Sequence, residues 1–480
     1  MNRSIQRKEK PMVKGGVREM ISIAMPMVIS QACYTIMTFT DRMFLSRLGP
    51  EYMNAAMAGG LTAFMMMTFF LGLIGYTTAL AAQYLGSGKK DKCAVTVSQA
   101  AIIALVAYPL ILSCRPLAHG LFEFMGIIPG QLALQKIYFD ILLWAVFVSL
   151  LRNCLSGFFS GIGKTKIVMI SAFAAMLVNV VINYVLIFGK LGFPALGIRG
   201  AAYGTIAGGV SGLIILLVSY LGKTNRREYK VLKSLYFDKT VMTRLLWFGY
   251  PAGLEMFLNL LAFDIVIMIF HSAGAIAATA ATIVFNWDMV SFVPLLGVEV
   301  GVMSLVGRYM GARDPDTAHK VTMSGLKMGA AYSAIVFVLF FGFPQFLTEI
   351  FRPSNSASVF IAAKPVIVFM IRLASIYVLV EAMIVVFIGA LRGAGDTFWA
   401  MLISVSLHWV LVPVLFVLLK IYGVSLQISW SVVVGIFLMF SFLVYWRYSI
   451  GKWRKISVVS ASPVVPAVTV YEDFHESLDL

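Results

Sequence analysis

The sequence predicts an all-α integral membrane protein with twelve transmembrane helices in two pseudo-symmetric six-helix lobes. Three observations predict it. Of 480 residues, 60% are hydrophobic and only 12% charged, whereas a soluble domain carries about a quarter charged residues, so most of the chain is built for lipid. Twelve apolar runs reach the ~20 residues a helix needs to cross a hydrocarbon core of about 30 Å. The two halves also repeat one another.

The runs cover about 20–46, 58–84, 95–114, 137–160, 166–189 and 199–221, then 245–270, 279–307, 322–348, 361–390, 396–419 and 423–446. The first is too long for the apolar core of a signal peptide and lacks a small-residue cleavage pattern, so it reads as a retained span. Residues 1–19 form a basic N-terminus, 20–221 an N-lobe, 222–244 a basic connector, 245–450 a C-lobe and 451–480 a tail expected to be disordered. The connector is the longest polar stretch before the tail and carries Lys223, Arg226, Arg227, Lys230, Lys233, Lys239 and Arg244.

A net charge of +16 raises the question of nucleic acid. The basic residues sit in short loops between apolar runs, where they act as an orientation signal, so no nucleic-acid partner is expected. Loops on the side of both termini hold Lys89, Lys90, Lys92, Lys164, Lys166, the connector, Arg308, Arg313, Lys320 and Arg392, with Arg3, Arg7, Lys8 and Lys10 among those at the ends. The other side holds about a third as many, which sets both termini in the cytoplasm of a multi-pass inner-membrane protein. Cys33, Cys93, Cys114 and Cys154 have neither metal nor disulfide spacing and read as small helix-packing residues.

The repeat rests on four landmarks. Pro26 matches Pro251, Gly49 matches Gly274, and AAQYLGSGKKD matches VGRYMGARDPD with Gly86 on Gly311, all 225 residues apart. GFFSGIGKT (157–165) matches GALRGAGDT (389–397) at an offset of 232. Six spans per half is an even number, so the halves enter the membrane in the same sense and are related by an axis along its normal. A chamber between them is expected.

At SGFFSGIGKT, NVVINYVLIFGKLGFPALGIRGAAYGT (179–205), FGYPAGLEM (248–256), LVGRYMGARDPDTA (305–318) and GALRGAGDT, the chain resembles the multidrug and toxic compound extrusion (MATE) family. The likeness spans about residues 17–450, and the PAGLE stretch is similar to the DinF-like and related bacterial branches. It implies two lobes forming a V-shaped, alternating-access exporter of organic, mainly cationic compounds, driven by sodium ions or protons, with no bound cofactor and no enzymatic activity. A monomer in contact with lipid is the expected assembly.

Charges inside spans are costly and call for a reason. The acids at membrane depth are Asp41, Glu255, Asp264, Asp288, Glu299 and Glu381. Asp288 and Glu299 read as interfacial. Asp41 reads either as half of an ion pair with Arg42 at the outer end of the first span or, on the family resemblance, as the acid of an N-lobe cation site. That site would be completed by Asn153, Asn179, Asn183 and Thr205, with Asp41, Asn179, Asn183 and Thr205 as sodium ligands. Asn179 and Asn183 are four apart and share a helix face. Many relatives carry aspartate at the position of Asn183, so this site is less negative. In the C-lobe the resemblance points to Glu255, Asn259, Asp264 and Glu381 as cavity residues; pairing of Glu255 or Glu381 with Arg372 or with a backbone group is the alternative. Pro26 and Pro251 each remove a backbone hydrogen bond inside a span and are expected to kink it.

An acid held in a low-dielectric site can trade a proton or a sodium ion for a cationic substrate. A lipid-linked oligosaccharide flippase of the same superfamily shares the plan but should have a basic chamber. An integral-membrane enzyme would need a catalytic cluster, and His119, His271, His319, His408 and His475 are scattered along the chain.

Overall fold

The computed structural model describes residues 13–125, 127–352 and 357–459. Arg3, Arg7, Lys8, Lys10 and the acidic end of the tail lie outside them. The N-lobe comprises α1 (Val17–Ser46), α2 (Pro50–Gly75), α3 (Thr77–Gly86), α4 (Lys90–Ser113), α5 (Arg115–Phe124), α6 (Pro129–Trp144), α7 (Val146–Gly161), α8 (Thr165–Phe188) and α9 (Ile198–Tyr220). After the connector helix α10 (Lys223–Glu228), the C-lobe follows with α11 (Lys239–Ser272), α12 (Ala275–Gly311), α13 (Pro315–Gly342), α14 (Pro344–Glu349), α15 (Ala357–Ala394), α16 (Thr397–Phe416) and α17 (Leu426–Ser449). Among the described residues, eleven helical stretches are long and apolar enough to cross a membrane, and the bent pair α6–α7, counted as one span, makes twelve. The helices overrun the apolar runs: the second span begins at Pro50, because small residues such as Ala55, Ala56 and Ala58 sustain a helix beyond the stretch that lipid requires.

α1 and α11 run through Pro26 and Pro251 for 30 and 34 residues without a break in assignment. A bend of 45° separates α6 from α7, where no proline stands. One correction concerns residues 451–459, assigned with the tail. Trp453 is buried against Tyr448 and donates its indole N–H to the Tyr448 carbonyl at 3.0 Å, and Val458 and Val459 are buried. The four cysteines are free thiols.

The lobes meet through a contact that repeats itself. A methyl group on Gly86 would strike the Arg308 carbonyl oxygen, and one on Gly311 would strike that of Gln83. Adding 225 to 83 and 86 gives 308 and 311, so the two collisions are one contact seen from either lobe. The same holds higher up. A Cβ on Gly72 would lie 2.7 Å from the Gly253 Cα and one on Gly297 2.6 Å from the Val28 Cα, and 28 and 72 again become 253 and 297. Small residues let backbones approach this closely in a membrane. Polar bonds follow the symmetry: Arg244 donates to the Tyr84 hydroxyl at 3.0 Å, and its image is the Tyr309 hydroxyl on the Glu19 carboxylate at 3.0 Å. Gln83 adds a bond to the Gly393 carbonyl at 2.8 Å, and Ser304 one to that of Ser160 at 2.6 Å. All these contacts lie in the helix halves nearest the basic loops; none reaches the outer halves, where Asp41 sits.

The connector is folded onto α4. Lys90 pairs with Glu228, Lys92 with Asp238 at 2.7 Å, and the Gln99 amide donates to the Tyr236 carbonyl at 2.8 Å. Asp238 also caps α11, accepting from the N–H groups of Thr240 and Val241 at 2.9 and 3.0 Å. Partial burial pushes its carboxyl up, but Lys92 and the two backbone donors outweigh that and hold it below the usual carboxylate range.

Candidate functional site

α8 and α9 pack closely because Gly200, Gly204, Gly208 and Gly212 recur every fourth residue along α9, facing Leu186, Asn183, Ala175 and Ser171 of α8. This brings the asparagine face of α8 beside Thr205 and against α1. Asp41 is buried there, and the Asn183 amide donates to its Oδ1. The Thr205 hydroxyl lies 3.2 Å from Asp41 Oδ2 and 3.0 Å from the Ala201 carbonyl; its single hydrogen serves one of them at a time. Asn179 donates to the Thr205 oxygen at 3.4 Å. Asn179 and Asn183 are wholly buried, and neither Oδ1 has a hydrogen-bond partner.

Two orphaned amide oxygens beside a carboxylate and a hydroxyl are the donors a hard cation takes once stripped of water. Asn183→Asp would add a charge, but the existing groups already fit such an ion as passing cargo. Arg42 is exposed, and no ion pair joins it to Asp41, so Asp41 is not half of a surface pair. Asn153, grouped with this site from sequence, stands outside it: its amide donates to the Leu71 carbonyl on α2 at 2.8 Å.

The C-lobe acids divide into two groups rather than one. Glu255, nearly fully buried on α11, pairs with Arg392 at 2.8 Å, and the same guanidinium bonds Glu299 of α12. Arg392 therefore belongs to a helix and not to a loop, because α15 continues to Ala394. Arg372 is exposed and pairs with neither Glu255 nor Glu381. The second group lies on α12 and α15, where the Tyr377 hydroxyl donates to Asp288, and buried Glu381, one turn along from Tyr377, has an Oε2 with no partner. Asn259 donates to the Ser404 hydroxyl at 2.8 Å, while Asp264, farther out on α11, is half-buried with no bond to either group.

Asp288 and Glu299, expected at the interface, each accept a hydrogen bond from a side chain of α15 instead. The four-residue spacing of Tyr377 and Glu381 was a signal that an acid on a neighbouring helix could exploit. Arg152, within the fourth apolar run, and Lys327, within the run 322–348, are in-span cations that the sequence reading does not address.

A family model described as MatE matches residues 26–185 and 251–417, one segment in each lobe. The chain is 25% identical over 453 residues to the probable multidrug resistance protein NorM of Thermotoga maritima, covering 93% of this chain and 95% of that one. It is 27% identical over 403 residues to the multidrug resistance protein MdtK of Yersinia pseudotuberculosis, covering 82% and 85%. The fold matches the outward-facing conformation of a MATE family transporter of the MOP superfamily with a TM-score of 0.83 at 19% identity, over 93% of this chain and 100% of that one. The two-lobe architecture, the paired segments and these relatives agree that the chain belongs to the MATE family of membrane transporters and is not an enzyme.

Proposed function

We propose that this protein is a secondary exporter that carries small organic, mainly cationic compounds out of the cell in exchange for sodium ions or protons. The observation that carries the reading is Asp41: a carboxylate buried at membrane depth, held by Asn183 and Thr205 and paired with no basic side chain. An acid kept there at such cost is suited to binding a travelling cation. The names of the NorM and MdtK relatives support multidrug substrates. The excess of basic loop residues on one side supports cytoplasmic termini in the inner membrane, which makes the closed seam between the lobes the cytoplasmic one.

One net charge moving inward gains about 2.3 kcal/mol per 100 mV, enough for a substrate gradient of about 40-fold. Two lobes that meet along a seam and can part there supply alternating access. The Asp288–Tyr377–Glu381 group, two acids without a base, supports a second cation station in the C-lobe. The flippase reading is disfavoured by the same inventory, since Arg392 is held between two carboxylates.

The test is Asp41→Asn in sealed vesicles loaded with a fluorescent cation, under separately imposed sodium and pH gradients. Loss of ion-driven efflux with binding retained is expected; efflux at the wild-type rate would remove Asp41 from the coupling.

A further inference from the structure

We propose that the groove between α16 and α17 is a lipid site. It seats an anionic phospholipid from the leaflet on the side of the basic loops, with an acyl chain along the groove and the headgroup phosphate on Lys452.

The groove exists because the internal repeat is broken there. α16 and α17 are the C-lobe images of α8 and α9; the threonines that open the first helix of each pair, Thr165 and Thr397, stand at the 232-residue offset. In the N-lobe, glycines at every fourth position draw α9 onto α8. α17 has a single glycine, Gly435, and a methyl group on it would meet nothing within 4 Å. α17 is fastened to α15 instead, where the Trp430 indole donates to the Met370 carbonyl at 3.0 Å. Between α16 and α17 this leaves a groove of about 440 Å³ in the half nearest the basic loops.

Its walls face lipid. Leu402, Ser406 and Val410 of α16 and Met439, Leu443 and Trp446 of α17 line it and are exposed, over a buried floor of Leu407 and Phe440. Leu402 and Ser406 lie on the far side of α16 from Ser404, whose hydroxyl receives Asn259 inside the lobe. The groove therefore opens to the bilayer and not to the chamber. From Trp399 to Val410 it runs about 16 Å at the helical rise. That is about the hydrocarbon depth of one leaflet, half of ~30 Å.

The end at the basic loops is built for a headgroup. Trp399 and Trp446 stand at the mouth, where aromatic rings suit the membrane interface. Buried Arg447 holds Asp396 through bonds of 2.9 and 3.0 Å, and its guanidinium lies 4.8 Å from the centre of the Trp399 ring, which fixes that wall. Asp316 is taken by Arg454 at 3.0 Å. Gly451, at φ +73°, turns the chain after α17 and brings Lys452 to the mouth. Lys452 is exposed and forms no ion pair among the described residues. Because Arg447 and Asp396 cancel, the mouth presents one uncompensated positive charge at the head of an apolar slot. That is the complement of a lipid phosphate above an acyl chain. A zwitterionic headgroup carries its own cation and gains less from Lys452.

A bimane fluorophore on Ser406→Cys, in protein whose Cys33, Cys93, Cys114 and Cys154 are replaced, reports the groove. One on Phe442→Cys, exposed on α17 outside the groove, reports the ordinary lipid surface. Each protein is reconstituted in phosphatidylcholine vesicles, and quenching by phosphatidylglycerol or phosphatidylcholine with dibrominated chains is followed against mole fraction. At Ser406 the brominated phosphatidylglycerol should reach half-quenching at about fivefold lower mole fraction, one lysine's attraction for an anionic lipid. At Phe442 the two lipids should agree within about twofold. Lys452→Gln, a change at an exposed side chain, should bring the two Ser406 curves within about twofold of each other. Equal curves at Ser406 in the parent protein, a phosphatidylglycerol preference as large at Phe442, or a preference that survives Lys452→Gln would each overturn the proposal. So would a Ser406 probe that neither lipid quenches, the mark of a groove covered by a second copy of the chain. No ion gradient enters the measurement, so the result stands apart from that of Asp41→Asn.

Discussion

Gly86→Ala tests the seam between the lobes most directly. The added methyl would come to 2.8 Å of the Arg308 carbonyl carbon and 2.9 Å of the Ala312 nitrogen, besides striking the Arg308 oxygen. The Arg308 oxygen would lie only 1.8 Å from the methyl, whereas C···O contacts begin at ~3.3 Å, so the helices must part by more than about 1 Å, and the obstacle is backbone that cannot rotate aside. Overpacking of this kind costs about 1–3 kcal/mol. The cost falls only on the arrangement in which α3 and α12 touch. A penalty of ~2 kcal/mol shifts the balance toward the parted arrangement by about 30-fold. The assay is labelling of Ser304→Cys, buried in the seam on the Ser160 carbonyl, by a membrane-impermeant maleimide after Cys33, Cys93, Cys114 and Cys154 are replaced. Labelling from the side of the basic loops should accelerate by about that factor. Gly311→Ala meets Gln83 in the image contact and should match it. Acceleration by one variant and not the other would refute the reciprocity, and no change in either would refute the seam.

Asn183→Asp places a second carboxylate beside Asp41 and should raise sodium affinity by about tenfold or more, read as sodium-dependent thermal stabilisation. Arg392→Met leaves Glu255 and Glu299 facing one another in a buried site and should destabilise the fold by about 3–5 kcal/mol, whereas Glu255→Gln keeps Arg392 on Glu299 and should cost less; the melting temperature of detergent-purified protein separates them. Asp238→Ala removes the α11 cap at ~1 kcal/mol. Because the Asp238 carboxyl sits below its ordinary value in the folded protein, its contribution is full above the unfolded value, about pH 4, and is lost as pH falls through the folded one. The stabilities of wild type and the Asp238→Ala variant should therefore converge only in acid, and a constant difference across that window would count against the clamp.

The spans were legible because lipid imposes a length and a composition that no other solvent does, and the repeat because the seam requires glycine at fixed places in both halves. Asp41, Asn179, Asn183 and Thr205 were legible as polar residues at membrane depth on chain segments that resemble one family. Asn153 was misplaced because a single position around α7 turns its amide to Leu71 instead. Arg392 was read as a loop residue because apolarity fades before α15 ends, and nothing local reveals that two acids from other helices wait beneath it. The pairing of Asp288 with Tyr377 joins residues 89 apart in the chain, and no periodicity within either helix encodes it.

The seam has one more consequence. A surface that matches its own copy after a shift of 225 positions is what an isologous dimer displays. Two first halves could associate through the same glycines, with Tyr84 of one facing Glu19 of the other. Two second halves could do so with Tyr309 facing Arg244. Separately expressed halves would then have three ways to pair, and the fused chain preserves the mixed one by holding its ends together.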